Sequence, residues 1–428
     1  MSLVIKNGHF IEPTLGISEQ MDLLIDGKHV VKIGKNLDGD EVIDASGCVV
    51  CPGLVDIHVH FREPGFESKE TIASGSRAAA RGGFTSVVTM ANTRPVIDNA
   101  GMVEFSNRRA RETALIKIWP AATATKGMEG LEMTEMAELK AVGAVAVTDD
   151  GKDIPSSWVM RRVLEYANMV GLTYLAHCED ESLMEGGAMN EGYNSTRLGI
   201  PGLPKAMEEI RIDRNIRLAE LAGAKIHIQH VTTAGGVEII RRAKARGVRV
   251  TCETAPHYWM LTDDAVVGFG TNAKMNPPLR EVQDVEAIKA AIADGTIDCI
   301  ATDHAPHTPT EKDVEFQLAP FGIVGLETSL ALTITGLVGP GVISLERAVE
   351  LMTAAPAKIL NLKSLDFEAG ILRQGGYADV CIFDPNAEWI VDPNEFHSLS
   401  RNTPFTGMRV RGRVRKTVWR GRLVYDAG

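Results

Sequence analysis

Four residues that could do chemistry, Asp56, His58, His60 and Arg62, alternate with apolar residues shortly after Pro52. With the two-residue period of a β-strand, the four side chains lie on one face and the apolar residues between them lie on the other. Two imidazoles on one side of a strand can both reach a single cation. An isolated His-x-His more often lies on a half-exposed edge strand, so the metal interpretation depends on the rest of the chain.

Metal-binding residue types also end other apolar stretches of the chain. These residues are an aspartate pair, two single histidines and a further aspartate: Asp149 and Asp150, His177, His230, and Asp303. Imidazole and carboxylate ligands suit Zn²⁺ or a similar divalent ion. Together with His58 and His60 they exceed what one tetrahedral ion needs while a water position stays open. The set therefore favours two adjacent ions that share a bridging carboxylate.

The elements that would position these residues alternate between strand and helix from residue 52 to residue 365. Eight strand–helix units predict an α/β fold of the (β/α)₈ TIM-like barrel type, in which the carboxyl ends of the strands meet at one mouth. The predicted strands are Leu54–Phe61, Thr85–Ala91, Leu115–Pro120, Ala144–Asp149, Thr173–His177, Lys225–Val231, Arg249–Glu253 and Asp298–Thr302. The predicted helices are Lys69–Arg81, Met102–Thr113, Thr134–Ala141, Ser157–Val170, Ala206–Leu221, Gly235–Arg246, Val282–Ala293 and Gly325–Leu337.

Both ends of the chain consist of short apolar strands separated by turns. The turn Asp26-Gly27 predicts a β-hairpin near the start, and Arg420-Gly421 lies between two strands near the end. Because chain termini tend to lie close together, we expect the two ends to pair. The predicted domains are a small β-sandwich-like domain from residues 1–51 and 366–428, and a (β/α)₈ barrel over residues 52–365.

Composition places the chain among ordinary globular proteins, with 428 residues, 44% apolar residues and a net charge of −11. The acidic balance argues against nucleic acid as a partner. No basic start followed by a long apolar run opens the chain, so we expect no signal peptide. The longest weakly polar region, Phe321 to Leu345, contains Glu327 and Pro340, so we expect a buried barrel helix and loop there and no membrane span. Six scattered cysteines fit reduced thiols in the cytoplasm. Cys48 and Cys51 have redox or zinc spacing, but no second pair accompanies them.

Several motifs give the chain a family resemblance. The stretches Asp56–Gly65, Met90–Pro95, Asn276–Arg280, Thr302–His307 and Ala319–Glu327 resemble motifs of dihydroorotases, a family of the amidohydrolase superfamily. Many members of the superfamily bridge two metals with a carboxylated lysine after strand four. Here that position reads Thr148-Asp149-Asp150-Gly151, which resembles the bacterial dihydroorotases that use aspartate. The family pattern makes Asp150 the bridging ligand, with Asp149 as the alternative.

The resemblance implies the reversible cyclisation of N-carbamoyl-L-aspartate to L-dihydroorotate, a step of pyrimidine biosynthesis. It implies one or two Zn²⁺ ions per chain and a metal-bound hydroxide that attacks the ring amide, with Asp303 as general acid and base. The implied metal ligands are His58, His60, Asp150, His177, His230 and Asp303. The implied substrate-binding residues are His60, Arg62, Asn92, Asn276, His307, Phe321 and Gly322.

Several alternatives stay open at this stage. The chain could be another cyclic-amide hydrolase, such as a hydantoinase or allantoinase, or a silent barrel that serves as a scaffold for a transcarbamoylase. Arg62 could form a surface ion pair with a neighbouring glutamate, and residues 307–320 could be a mobile lid or a plain surface loop. The expected partner is a small-molecule substrate; association with aspartate transcarbamoylase and a homo-oligomer are further hypotheses. His227 is expected to pack in the core, and His257 and His304 have no assigned role.

Overall fold

The computed structural model describes residues 2–363 and 368–428. The chain begins with strands whose inward side chains are apolar, and the turn after Asp26 forms the expected hairpin between the second and third strand. Strand β1 pairs in parallel with both β4 and β5, and β5 leads directly into the first strand of the barrel. These strands are β1 (Ser2–Glu12), β2 (Ile17–Asp26), β3 (His29–Gly34), β4 (Glu41–Asp44) and β5 (Val49–Pro52).

Eight parallel strands follow and form a nearly closed barrel, with neighbours paired in chain order. Their residues are buried almost throughout, as expected of a parallel sheet covered on both faces. A short pair, β11 (Met189–Asn190) and β12 (Gly202–Leu203), lies outside the barrel. The barrel strands are β6 (Leu54–Val59), β7 (Phe84–Thr89), β8 (Lys117–Ala122), β9 (Ala146–Thr148), β10 (Thr173–Ala176), β13 (Ile226–Ile228), β14 (Val250–Thr254) and β15 (Cys299–Ile300).

The barrel closes between its first and last strands through the residues that follow β15. Val59 and His304 form a parallel bridge, and the backbone N–H of His60 donates to the carbonyl of His304 at 2.9 Å. The carboxylate of Asp56 accepts from the N–H of Thr302 at 3.2 Å. The first histidine pair and Asp303 are thereby held on neighbouring chain segments.

Helices surround the barrel, and side-chain caps set several of their starts. Thr71, Asn99, Ser156 and Thr233 each accept a backbone N–H from the first turn of the following helix, which satisfies a donor that would otherwise lack a partner. The helices are α1 (Ile72–Arg81), α2 (Ala100–Thr113), α3 (Met136–Ala141), α4 (Ser157–Val170), α5 (Tyr193–Leu198), α6 (Ala206–Ala222), α7 (Ala234–Ala245), α8 (Pro256–Met260), α9 (Ala265–Phe269), α10 (Val282–Ala293), α11 (Pro309–Lys312), α12 (Ser329–Thr333), α13 (Leu345–Met352) and α14 (Ala354–Leu360).

Short 3₁₀ turns and one π-helix complete the helical elements. The π-helix directly follows α12. The last predicted helix begins four residues later than expected, at Ser329 instead of Gly325. The residues before Ser329 contact the barrel instead, because the backbone N–H of Gly325 donates to His304 Nδ1 at 3.1 Å. These elements are Pro13–Leu15, Lys126–Met128, Glu181–Leu183, Gly270–Ala273, Ile334–Val338 and Pro393–Glu395.

The two ends of the chain meet in one sheet, as the sequence predicts. Strands β16 (Val380–Ile390), β17 (Arg409–Trp419) and β18 (Arg422–Asp426) join β1–β5 through antiparallel pairing of β16 with β5. Among the described residues hydrogen bonds join the eight strands into one sheet. The sandwich-like form of this domain stays a prediction. The exact bounds, residues 1–51, 52–365 and 366–428, stay a prediction; the boundary between 365 and 366 lies outside the described residues. No helix in the described part of the chain is long and apolar enough to cross a membrane.

Candidate active site

The six predicted metal ligands come from five strand ends and meet at the barrel mouth. His58 lies within β6 and His60 just beyond it, and the other four follow β9, β10, β13 and β15. All six are buried, with at most 5% of their surface exposed. Their donor atoms form three overlapping groups of three within 4.8 Å of one another. The groups are His58–His230–Asp303, His58–His60–Asp150 and Asp150–His177–His230.

Asp150 lies at the centre of these groups. Its Oδ1 atom is 3.4 Å from His58 Nε2, 3.6 Å from His177 Nδ1 and 3.8 Å from His230 Nε2. Its Oδ2 atom is 3.4 Å from His60 Nε2. Each carboxylate oxygen therefore faces different imidazoles, which is the arrangement of a bridging ligand.

The spacing around Asp150 fits divalent cations. Oδ1 is buried and has no hydrogen-bond partner among the described residues, and distances of 3.4–3.8 Å are too long for good hydrogen bonds. Two ligands of one tetrahedral zinc ion, each about 2.0–2.1 Å from the metal, lie about 3.3 Å apart. Together with the family comparisons below, the clusters indicate a metal cofactor.

The neighbouring Asp149 points elsewhere. Its Oδ1 atom accepts the backbone N–H groups of Ala124 and Thr125 at 2.8 and 3.1 Å, and its Oδ2 atom accepts the hydroxyl of Thr125. These three bonds already occupy both carboxylate oxygens. Of the two aspartates, the structure brings Asp150 and not Asp149 to the histidines.

Asp303 lies between the two histidines of the first strand. Its Oδ1 atom is 3.0 Å from His60 Nε2 and 3.5 Å from His58 Nε2. Asp303 and His230 both have left-handed backbone angles, with φ of 46° and 33°. Non-glycine residues adopt this region rarely, and such strain concentrates at functional sites. Although burial favours the neutral acid, the imidazoles of His58 and His60 lower the pKa of Asp303.

Glu253, on β14, is a site residue that the sequence analysis missed. Its Oε1 atom accepts from His58 Nδ1 at 2.6 Å, and its Oε2 atom accepts from His227 Nε2 at 3.1 Å. Burial raises the pKa of this carboxyl, but the imidazoles of His58 and His227 outweigh it and lower the pKa to about 2. His227 is therefore more than core packing. The alternation of polar residues at 249, 251 and 253 was the available signal.

Glu179 links His177, a predicted metal ligand, to Asn276, a predicted substrate contact. Its Oε2 atom accepts from His177 Nε2 at 3.1 Å, and its Oε1 atom accepts from Asn276 Nδ2 at 2.9 Å. The Oδ1 atom of Asn276 is buried without a partner in the described part of the chain. The amide oxygen of Asn276 is therefore free to accept from a ligand. The sequence analysis missed Glu179, although it directly follows the His177-Cys178 pair.

Arg62 has no ion-pair partner among the described residues, although the carboxylates of Asp303 and Asp150 act on its charge from farther away. Its Nε atom donates to the carbonyl of Pro306 at 3.3 Å, and no carboxylate among the described residues lies within 4.0 Å of the guanidinium. The alternative ion pair is absent from the described structure, because Glu63 pairs with Arg109 at 2.7 Å and Glu67 accepts from the N–H of Gly65. Burial lowers the pKa of Arg62 to about 10, so it stays charged at neutral pH.

A cavity of about 330 Å³ lies over these groups. His307 lines it beside Arg62, with a distance of 3.5 Å between His307 Nε2 and Arg62 Nη2, and donates from Nε2 to the carbonyl of Phe321 at 2.8 Å. Asn92 accepts from His60 Nδ1 at 2.9 Å. Every predicted substrate-binding residue lines this cavity: His60, Arg62, Asn92, Asn276, His307, Phe321 and Gly322.

Two further buried histidines, His304 and His257, are not among the six predicted metal ligands. His304 accepts from the N–H of Gly325 and lies 3.4 Å from Glu70 Oε2, so it supports the closure of the barrel. His257 is buried in α8, where burial lowers its pKa to about 3 and keeps it neutral. Neither had an assigned role in the sequence analysis.

Comparison with known families supports two overlapping assignments. A family model described as dihydro-orotase-like matches residues 47–235, and one described as amidohydrolase family matches residues 202–425. Among curated proteins, a dihydroorotase of Citrifermentans bemidjiense is 52% identical, with both chains covered completely. A dihydroorotase of Pelotomaculum thermopropionicum is 50% identical over 99% of this chain and 98% of its own.

Solved structures show the same architecture at lower identity. An L-hydantoinase (dihydropyrimidinase) from Arthrobacter aurescens superposes with a TM-score of 0.90 at 26% identity, covering 100% of this chain and 96% of its own. A dihydropyrimidinase from Brevibacillus agri superposes with a TM-score of 0.86 at 25% identity, covering 100% and 95%. The identity to dihydroorotases is about twice the identity to these hydantoinases, so the hydantoinase alternative is not favoured.

Proposed function

The chain belongs to the dihydroorotase family, and we propose that it interconverts L-dihydroorotate and N-carbamoyl-L-aspartate with the residues of the barrel-mouth cavity. It is a hydrolase that acts on a cyclic amide. The proposed cofactor is Zn²⁺, one or two ions per chain, held by His58, His60, Asp150, His177, His230 and Asp303. When bound, such ions lower the pKa of a water molecule to about 7 and polarise the substrate carbonyl.

Asp303 is the proposed proton carrier. Its Oδ1 atom lies 3.0 Å from His60 Nε2 and faces the cavity, and its lowered pKa keeps it ionised before the reaction. As a base it takes the proton of the attacking water, and as an acid it gives that proton to the ring nitrogen when the amide C–N bond breaks. In the cyclising direction the same carboxyl group runs these transfers in reverse.

Arg62 carries the proposal for the substrate. A half-buried guanidinium that has no ion-pair partner among the described residues and lines the cavity is complementary to a ligand carboxylate, which it can bind with two parallel hydrogen bonds. Asn92 and His307 flank it at the cavity wall. Dihydroorotate bears such a carboxylate, whereas hydantoin and allantoin do not. This single observation best separates the proposed substrate from those of the rival hydrolases.

Another part of the cavity lining suits the ureido edge of the ring. Asn276 has an amide oxygen without a partner among the described residues, while its amide nitrogen is occupied by Glu179. Phe321 and Gly322 line the same cavity. A ureido edge offers N–H donors and a carbonyl acceptor, so it needs paired partners of this kind.

An assay with quantified metal tests the proposal. Protein loaded with zinc is compared on L-dihydroorotate, hydantoin and allantoin, and metal per chain is measured in the same samples. We expect the turnover rate of dihydroorotate to exceed that of hydantoin and that of allantoin by orders of magnitude. Equal or faster turnover of hydantoin or allantoin would reject dihydroorotate as the substrate. A metal-loaded chain without turnover of any cyclic amide would instead support the silent scaffold.

Further expectations accompany this function. We propose a cytoplasmic location, a homo-oligomer and association with aspartate transcarbamoylase, which the family resemblance supports. Gel filtration with light scattering, alone and with the transcarbamoylase, would test the last two. The segment 307–320 remains the candidate lid. It includes α11, and Lys312 within it is buried, which would restrain the movement of a lid at this point.

A further inference from the structure

A side chain from the C-terminal part of the chain reaches the substrate-binding wall. Asn402 lies between Phe396 and Phe405, which pack in one apolar cluster with Val324 and Leu332. Only 3% of the surface of Asn402 is exposed. The residue is thus fixed on the barrel, although it belongs to the segment that leads into the last strands of the terminal sheet.

The carboxamide of Asn402 makes three hydrogen bonds to main-chain atoms of the two cavity segments. Its Nδ2 atom donates to the carbonyl of Ala305 at 3.0 Å and to the carbonyl of Gly322 at 2.9 Å. Its Oδ1 atom accepts from the N–H of His307 at 3.1 Å. Asn402 therefore ties the segment that carries His307 to the segment that carries Gly322.

The chemistry of these partners requires an amide. Two carbonyl acceptors and one N–H donor face one short side chain, and a carboxamide supplies two N–H donors and an oxygen acceptor in one plane. The opposite orientation would set the amide nitrogen against the N–H of His307 and the amide oxygen against two carbonyls. A carboxylate would set an oxygen against the carbonyls of Ala305 and Gly322 as well.

The two segments also approach each other closely. Gly322 has φ of +152°, and a Cβ atom there would lie 2.5 Å from the carbonyl oxygen of Ala305 and 2.8 Å from the ring of His307. Glycine is needed for this approach. The carbonyl of Asn402 adds a further bond, since it accepts from the N–H of Val324 at 3.0 Å. The terminal segment therefore contacts both sides of the junction.

We propose that Asn402 is a positioning residue for substrate binding, a role that rests on the proposed dihydroorotase function. It holds the main chain at Ala305–His307 and Phe321–Gly322 in the mutual arrangement that places His307 and Gly322 in the lining of the substrate cavity. Among the described residues, the side-chain hydrogen bonds of Asn402 reach Ala305, His307 and Gly322, and none of the six proposed metal ligands. Its effect is therefore on substrate affinity and not on metal loading.

The test compares Asn402→Asp and Asn402→Ala with the parent protein and with Thr406→Ala, an exposed control whose hydroxyl donates to the carbonyl of Thr403. We expect KM for dihydroorotate to rise about tenfold or more in both Asn402 variants, with kcat within about threefold of the parent. Metal per chain should equal that of the parent. Thr406→Ala should match the parent in all three quantities.

Several results would overturn the inference. KM within about twofold of the parent in both Asn402 variants would do so, and so would a parallel loss of metal or of folded protein in both, because Asn402 would then serve the fold as a whole. If the metal-loaded parent does not open dihydroorotate, the proposed function fails independently. In that case crystal structures of the parent and Asn402→Asp decide: unchanged positions of the Ala305 and Gly322 backbones would reject the positioning role.

Discussion

His58 and Glu253 lie 2.6 Å apart, from Nδ1 to Oε1, so a carboxylate on β14 orients the first histidine of the proposed metal site. In metal sites such a bond fixes which imidazole nitrogen faces the metal and raises its basicity. Glu253 Oε2 accepts from His227 Nε2 at 3.1 Å. The hydrogen-bond network of the proposed site therefore includes Glu253 and His227, which lie behind His58.

Glu253→Gln should weaken metal binding about 10- to 100-fold, because the neutral amide orients His58 less strongly and leaves its charge without compensation. Titration with a competing chelator, followed by elemental analysis, measures the change. Glu286→Gln removes a carboxylate from an exposed pair with Lys289 and is the matched control. Equal metal affinity in Glu253→Gln and the parent would show that this contact does not tune the site.

Asp303→Asn should lower kcat by about 10²- to 10⁴-fold, because the amide cannot carry the proton to the ring nitrogen. The five remaining donors should retain metal, which elemental analysis measures alongside the rate. Asp313→Asn, at an exposed position nearby, is the control. A metal-loaded Asp303→Asn variant with a rate near that of the parent would remove Asp303 as the proton carrier.

Arg62→Met should raise KM for dihydroorotate about 10- to 100-fold, because it deletes the charge that faces the substrate carboxylate while keeping an apolar side chain of similar length. Steady-state kinetics at full metal loading measure the effect. Arg108→Met changes an exposed arginine that lies 3.9 Å from Glu112, and its kinetics should match the parent. An unchanged KM in Arg62→Met would exclude the carboxylate contact.

Asp379 gives a prediction about stability that does not involve the active site. Burial raises its pKa from 3.8 to about 7, while its Oδ1 atom accepts from the N–H of Arg420 at 2.7 Å. Between pH 3.8 and about pH 7, Asp379 is more often protonated in the folded protein than in the unfolded chain. Its contribution to the free energy of unfolding therefore falls as the pH rises through this range.

Asp379→Asn, which resembles the protonated acid, should therefore unfold at a higher temperature than the parent at pH 8 and show little gain at pH 4. Thermal unfolding of both proteins across this range measures the difference. Asp313→Asn serves again as an exposed control. A gain that is the same at pH 4 and pH 8 would show that the titration of Asp379 does not cause it.

Much of the fold could be predicted because the barrel strands are short apolar runs separated by amphipathic helices. Helices α4 (Ser157–Val170) and α10 (Val282–Ala293) have the predicted bounds, since a cap or a clear apolar periodicity sets their ends. The last barrel helix was placed too early, because the N–H of Gly325 bonds to His304 and the chain from Leu326 to Thr328 forms a turn before the helix begins at Ser329. Such a long-range bond leaves no local pattern.

In the site too, residues with a local sequence pattern could be predicted, and residues placed by long-range bonds could not. Residues at strand ends could be recognised by type and position, and the resemblance supplied roles for Arg62 and Asn276. Asn402 could not be found in this way, because it bonds to main-chain atoms 80 and 97 residues away and any residue type could offer those atoms. Choosing between Asp149 and Asp150 needed the backbone donors at Ala124 and Thr125, which depend on the packing of two strand ends.

The central claim is that six side chains from five strand ends hold divalent metal at the barrel mouth. A crystal structure of the zinc-loaded protein, with anomalous diffraction collected at the zinc absorption edge, tests it most directly. We expect one or two anomalous peaks beside Asp150, within about 2.0–2.2 Å of its carboxylate and of the surrounding imidazole nitrogens. No peak there, or zinc held only by other residues, would contradict the account.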